Sequence, residues 1–184
     1  MNRSDAIALL SRAFTDEPVV VSLGHPAYEL FAAGDRPLNF YTWGSMGLTS
    51  SIALGLALAR PERRVVALDG DGSLLMNLGS LATIAACSSP KLLVFVLDNG
   101  QYGTTGGQQT ATARGADLEA AARAMGVART ATVRDPAGLE AVLDASRTNP
   151  GPWVIVVKVK ESAPTAKPPL DCVYIKQRFM AALG

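Results

Sequence analysis

Several stretches of this chain are apolar at almost every position rather than at every second one. Pro18 to Gly24 (PVVVSLG), Arg64 to Asp69 (RVVALD), Lys91 to Asp98 (KLLVFVLD) and Trp153 to Val159 (WVIVVKV) each read as a buried strand, and Val127 to Val133 as a shorter one. Between them the pattern predicts helices over Ala27 to Ala33, Gly44 to Ala59, Leu74 to Cys87, Asp117 to Met125 and Asp135 to Ser146. Pro136 falls in a first helical turn, where its missing N–H is no loss. Gly44 to Ala59 is rich in small residues (Gly47, Ser50, Ser51, Ala53, Gly55, Ala57), which favours close packing on a neighbour. A Pro-rich stretch (Pro164, Pro168, Pro169) leads to a last helix, Val173 to Leu183. Strands that alternate with helices and are apolar on both faces specify an α/β fold, a doubly wound parallel sheet with helices on both faces. No repeat or clear linker interrupts it, so residues 1–184 are expected to form one domain with a helical tail over 164–184.

Composition narrows the function. At 184 residues the chain can bury a substantial core, and 48% apolar against 18% charged residues makes it globular rather than disordered. The formal net charge is +1 with no basic run, which removes electrostatic support for nucleic-acid binding. Every apolar stretch falls well short of the roughly 18 residues of a membrane span. Met1 to Asp5 leads into no apolar block of the signal-peptide kind. Cys87 and Cys172 are far apart and form no CxxC pair, so both are expected to be free thiols of a cytoplasmic protein.

In sheets of this kind, ligands bind beyond the carboxyl ends of the strands. After Asp69 comes Gly70-Asp71-Gly72-Ser73, then a helix. The glycines let the backbone approach a ligand, and the amides of a helix start favour an anion such as phosphate. Asp71 would repel a bare phosphate, a conflict that a divalent cation between them removes. After Lys91 to Asp98 comes Asn99-Gly100-Gln101-Tyr102-Gly103. If the two strands are neighbours, the Asn99 amide oxygen and a following backbone carbonyl are neutral oxygen ligands for the same ion. Taken singly, GDGS is a tight turn and Asn99 a turn former; at matching strand ends they make a metal–diphosphate site.

Gly70-Asp71-Gly72 to Asn99, thirty residues counted inclusively, resembles the signature of thiamine-diphosphate enzymes, which opens with GDG and closes with a pair of Asn. Asp98 stands here in place of the first Asn, while the second, the family's metal ligand, is kept. The resemblance implies that Asp71 and Asn99 bind Mg²⁺ through their side chains and Gln101 through its carbonyl. Ser73 and adjoining amides would hold diphosphate oxygens. Upstream, Gly44-Ser45-Met46-Gly47 matches the family segment whose bulky apolar residue wedges between the two cofactor rings, with the Gly44 carbonyl accepting from the 4′-amino group. Met46 is otherwise ordinary core filling. Gly24 and His25 follow the first strand, in a loop that the resemblance puts near the diphosphate. His25 either contacts phosphate or substrate, relays a proton, or caps the helix after it. Tyr102, Gly103, Thr104, Thr105, Gln108 and Gln109 form a Gly-rich loop expected to order over the cofactor as a lid. Glu29 is expected on a helix face outside the site.

Family members also need a carboxylate against the cofactor's pyrimidine, supplied by a separate pyrimidine-binding domain. No candidate for that glutamate is found here, so an α-type partner subunit and a hetero-oligomer are implied. The runs Asn39-Phe40-Tyr41, Gly44 to Ala59 and Gly70 to Ala85, with Ile175 to Met180, resemble sulfopyruvate decarboxylase β subunits. Gly106 to Thr110 resembles a stretch of phosphonopyruvate decarboxylases. The implied reaction is decarboxylation of a three-carbon 2-oxoacid with an anionic group at C3, giving an aldehyde. The alternatives are the β subunit of a 2-oxoacid oxidoreductase, a dehydrogenase E1 component, or a non-catalytic subunit that only binds the cofactor. Two distant cysteines argue against an iron–sulfur cluster in this chain. A dinucleotide site is disfavoured because Leu75 stands where the third glycine of G-x-G-x-x-G belongs.

Overall fold

A computed structural model describes residues 1–184. The elements run α1 (Arg3–Ala13), β1 (Val19–Val21), α2 (His25–Ala33), β2 (Asn39–Tyr41), α3 (Thr49–Ala59), β3 (Val65–Gly70), α4 (Asp71–Met76), α5 (Ser80–Cys87) and β4 (Leu92–Asp98). A short ribbon follows, β5 (Gln101–Tyr102) with β6 (Gln108–Gln109), and a 3-10 turn at Ala111–Arg114. The chain closes with α6 (Leu118–Ala124), β7 (Arg129–Val133), α7 (Pro136–Thr148), β8 (Trp153–Lys158) and α8 (Cys172–Leu183). Aspartates start three of these helices: Asp117, Asp135 and Asp171 each accept a backbone N–H of the first turn, as short acceptors at helix starts do.

Six strands form one parallel sheet in the order β2-β1-β3-β4-β8-β7. Successive residues of each strand point to opposite faces, and the apolar runs accordingly feed two cores. Val19, Val21, Val66, Leu68, Phe95 and Ile155 pack with α1, α2, α7 and α8 on one side. Val20, Val65, Ala67, Val94, Val96 and Val154 pack with α3, α4, α5 and α6 on the other. This is the doubly wound arrangement expected from continuous rather than alternating apolar strands. The switch lies between β1 and β3. The chain leaves β1 for α2 on one face, and leaves β3 for α4 and α5 on the opposite face. Two connections that diverge in this way leave a crevice between them at the strands' carboxyl ends.

Two expectations need correction. The helix expected from Gly44 starts at Thr49. Gly44, Ser45 and Gly47 have φ of 149°, 57° and 89°, outside the right-handed helical region. The helix expected over Leu74 to Cys87 is two helices broken at Asn77, whose side-chain amide donates to the Gly47 carbonyl at 3.1 Å. Glu29 lies on α2, as expected, and there it is buried and ion-paired with buried Arg3, Nε to Oε2 at 2.9 Å. The sequence reading also passes over α1, β2 and the β5–β6 ribbon. Cys87 and Cys172 are exposed free thiols, as expected. No helix is long and apolar enough to cross a membrane.

Candidate functional site

The crevice at the switch point forms a cleft that is partly open to solvent. Its walls come from the ends of β1, β3 and β4 and the start of the β5–β6 ribbon. Of the residues singled out from the sequence, His25, Met46, Gly70, Asp71, Gly72, Ser73, Asn99, Gln101, Tyr102, Gly103 and Thr104 line it. Gly24, Gly44 and Ser45 do not line it but carry the turns that present His25 and Met46. Arg3, which no sequence argument pointed to, also lines it.

Asp71 opens α4 directly after β3 and is 1% exposed. Its Oδ2 accepts the hydroxyls of Thr110, at 2.5 Å, and Thr112, at 2.9 Å. Both bonds fall on Oδ2, which leaves Oδ1 without a hydroxyl donor. Burial pushes the Asp71 carboxyl above its ordinary range; the Thr110 hydroxyl opposes this and the nearby charge of Asp98 adds to it. A buried carboxylate under this pressure is relieved by a cation in the cleft. No three His, Cys, Asp or Glu side chains cluster to hold a metal. The hard oxygens available, one carboxylate with amide and backbone carbonyls, instead fit a Mg²⁺ that completes its shell with ligand phosphate and water.

Beside Asp71 lies Asp69, fully buried, with its Oδ2 unbonded. Burial raises its carboxyl to about 6, against the pull of the Ser73, Ser22 and Thr49 hydroxyls and the Gly70 N–H. Ser73 in turn accepts the Gly47 N–H at 2.9 Å. With Asn77 on the Gly47 carbonyl, this ties the 44–47 turn to α4 and holds half-buried Met46 at the cleft.

Asn99 follows β4, and its Oδ1 accepts the Gln101 N–H at 3.1 Å, a local turn typical of Asn. Its Nδ2 donates to Glu161 at 2.6 Å. Glu161 also meets His25 Nδ1 at 2.7 Å and the Arg3 guanidinium. Partial burial works against the Glu161 anion, but the hydrogen bonds from Arg3, Asn99 and His25 outweigh it and hold the carboxyl below its ordinary value. Asp98, which departs from the Asn pair, receives Thr112 at 2.8 Å and is paired with Lys158 at the end of β8.

The ribbon covers one end of the cleft. A Cβ on Gly72 would lie 2.4 Å from Tyr102 Cε1, and one on Gly24 would lie 2.8 Å from Thr104 Cγ2. Glycine at these positions lets the ribbon rest directly on both loops. Sequence reasoning missed Arg3, Thr110, Thr112, Lys158 and Glu161. For Glu161 a signal existed: it lies three residues past Lys158, at the carboxyl end of a strand.

Comparison with known proteins agrees with this geometry. Residues 25–157 match the family model described as the thiamine pyrophosphate enzyme, C-terminal TPP binding domain. The sulfopyruvate decarboxylase of Methanosarcina acetivorans is 51% identical over 76% of this chain, which spans only 36% of that protein's length. A protein of Methanococcus maripaludis named sulfopyruvate decarboxylase subunit beta is 41% identical, with 100% of this chain and 98% of that one covered. The phosphonopyruvate decarboxylase of Streptomyces viridochromogenes is 35% identical over 97% of this chain and 46% of its own. Among solved structures, one from Mycobacterium smegmatis assigned as a thiamin diphosphate-dependent enzyme superposes with a TM-score of 0.73 at 30% identity, covering 88% of this chain and 32% of that one. With this fold, this cleft and these matches, the chain belongs to the thiamine pyrophosphate enzyme family, as a C-terminal cofactor-binding domain.

Proposed function

We propose that this chain is the diphosphate- and metal-binding subunit of a two-subunit 2-oxoacid decarboxylase acting on sulfopyruvate or phosphonopyruvate. Its residues 1–184 would serve as one cofactor-binding domain with a C-terminal helical tail over 164–184. The observation that carries this reading is the meeting of Asp71 and Asn99, from the ends of adjacent β3 and β4, at one cleft. The full-length match to a protein named as a β subunit supports the division of labour.

Asp71 and Asn99 side-chain oxygens and the Gln101 carbonyl hold Mg²⁺. Ser73 and the amides beside it would hold the diphosphate. Met46, presented by the 44–47 turn, would wedge between the two cofactor rings, and the Gly44 carbonyl would accept from the pyrimidine amino group. His25 is engaged by Glu161 through Nδ1, so it meets the substrate end of the cleft through Nε2. Tyr102, Gly103 and Thr104 close over the diphosphate and exclude water. When bound, thiamine diphosphate supplies the electron sink for loss of carbon dioxide. The glutamate that activates it comes from a pyrimidine-binding partner subunit, which makes the active assembly a hetero-oligomer.

The test is carbon dioxide release from sulfopyruvate, phosphonopyruvate and pyruvate with thiamine diphosphate and Mg²⁺. The chain is assayed alone and with a pyrimidine-domain partner subunit. Release only in the mixture, with preference for an acid bearing an anionic C3 group, is the expected result. No release from any of the three in the assembled complex would overturn the reading.

A further inference from the structure

Glu161 lies past β8, at the carboxyl edge of the sheet where the cleft opens. Its two oxygens divide their work. Oε2 accepts from Asn99 Nδ2 at 2.6 Å and from the Arg3 guanidinium. Oε1 meets His25 Nδ1 at 2.7 Å. A carboxylate only accepts, so the atom of Asn99 facing it is the amide nitrogen. The amide is planar, and placing Nδ2 on Glu161 therefore decides where Oδ1 lies. Oδ1 uses one lone pair on the Gln101 N–H and has a second for a cation. With Glu161 absent, only the Gln101 N–H selects the oxygen over the NH₂ group, which cannot be a metal ligand.

Glu161 is itself held from behind. The Arg3 side chain, 4% exposed, forks onto Glu29 with Nε–Oε2 and Nη2–Oε1 distances of 2.9 Å. The Arg3 N–H donates to the Lys160 carbonyl at 2.9 Å, and the Lys160 N–H to the Met1 carbonyl at 3.0 Å. Residues 1–3 thus clamp the segment that carries Glu161. Gly103 leaves room for the pair, because a Cβ there would lie 2.7 Å from Glu161 Oε1 and 3.2 Å from His25 Nδ1.

We propose that Glu161 is a positioning residue that turns the Asn99 amide oxygen toward the metal and fixes the His25 ring in the same cleft. Outer carboxylates that orient metal ligands act in this way, and their loss weakens metal binding about 10- to 100-fold. The inference rests on the assignment of Asn99 as a metal ligand.

The test is Mg²⁺ titration by calorimetry into the full chain with saturating thiamine diphosphate, together with thermal melting. Glu161→Ala is expected to weaken Mg²⁺ binding about 10-fold. Glu161→Gln, whose amide oxygen still accepts from Asn99, is expected to recover most of that loss. Wild-type Mg²⁺ affinity in Glu161→Ala overturns the proposal and leaves Glu161 as a neutraliser of Arg3. Equal loss in Ala and Gln overturns it as well, since charge and not orientation would then be at work. If Glu161→Ala does not fold, Glu161→Asp decides. It keeps the charge opposite Arg3 but draws the acceptor away from Asn99, and unchanged affinity there is the overturning result. Asn99→Ala is run beside them. Weakened binding in Asn99→Ala with none in the Glu161 variants rejects the positioning role alone. Unchanged binding in Asn99→Ala rejects the metal assignment, and this inference with it.

Discussion

Asp98 and Lys158 end neighbouring parallel strands at the same register position, and their side chains pair over the carboxyl edge of the sheet. Asp98 is 4% exposed and sits close enough to Asp71 to raise that carboxyl. Thr112 joins the two aspartates, with its hydroxyl 2.9 Å from Asp71 and 2.8 Å from Asp98. Lys158 therefore makes a second carboxylate tolerable where the family pattern has Asn. Lys158→Met is expected to destabilise the chain by about 2 kcal/mol, because it leaves a buried carboxylate without its cation. Adding Asp98→Asn should recover most of this. Urea unfolding of the two single variants and the double variant measures the coupling, and simple additivity would contradict it.

Asp71→Ala removes the only carboxylate among the proposed metal ligands. It is expected to abolish Mg²⁺-dependent binding of thiamine diphosphate while the far-ultraviolet circular dichroism stays that of the parent. Unchanged cofactor affinity in this variant would remove Asp71 from the metal site.

Met46 sits half-buried on a turn with two glycines of positive φ, not in the packed interior of a helix. Met46→Ala should lower turnover of the assembled enzyme at least 10-fold while changing cofactor affinity and melting temperature little, a 10-fold rate loss being about 1.4 kcal/mol of barrier. A large loss of melting temperature with turnover retained would return Met46 to plain core packing.

Gly72 leaves no room for a side chain, since an added Cβ would lie 2.4 Å from Tyr102 Cε1. Gly72→Ala should displace the 101–109 ribbon without unfolding the sheet. Faster amide hydrogen exchange confined to that ribbon is the expected signature, with Tyr102→Ala in the same chain relieving the clash. Exchange at the parental rate would show that the ring moves aside freely.

Tyr41 gives a pH dependence remote from the site. It is 2% exposed, donates to Asp35 at 2.8 Å and accepts from Asn39 at 3.2 Å. Burial raises its phenol well above the ordinary value of 10.0. A raised folded value means that the folded state keeps its proton longer than the unfolded state. The contribution is therefore complete below about pH 10 and is lost as pH climbs toward the folded value. Tyr41→Phe should show a shallower fall in stability above that pH than the parent. Identical alkaline slopes in denaturant titrations would contradict this.

Much of the architecture was legible in the sequence. Runs such as LLVFVLD and WVIVVK are apolar on both faces, and only a sheet covered twice satisfies them. The GDGS and Asn99 loops follow such runs, so their place at one edge of the sheet could be read before any fold was seen. The 44–48 segment misled because its small residues resemble a packing helix by composition, while glycine also permits the positive φ that the turn adopts. The strand Asn39–Tyr41 has only three residues and exists through its pairing with β1, and a run so short carries no period of its own.

By itself the sequence determined the local periods, the burial of the strands and the residue types at each strand end, because spacing and side-chain chemistry act over a few residues. Tertiary structure alone decided the partners. Glu29 became a buried ion-pair member through Arg3, twenty-six positions away. Asp98 found Lys158 across a strand boundary sixty positions on. Glu161 reached Arg3, at the opposite end of the chain, as well as His25 and Asn99. Such pairings depend on the order and register of strands distant in sequence, and many orders bury the same apolar runs equally well. Only the one that forms brings these particular charges within reach of each other.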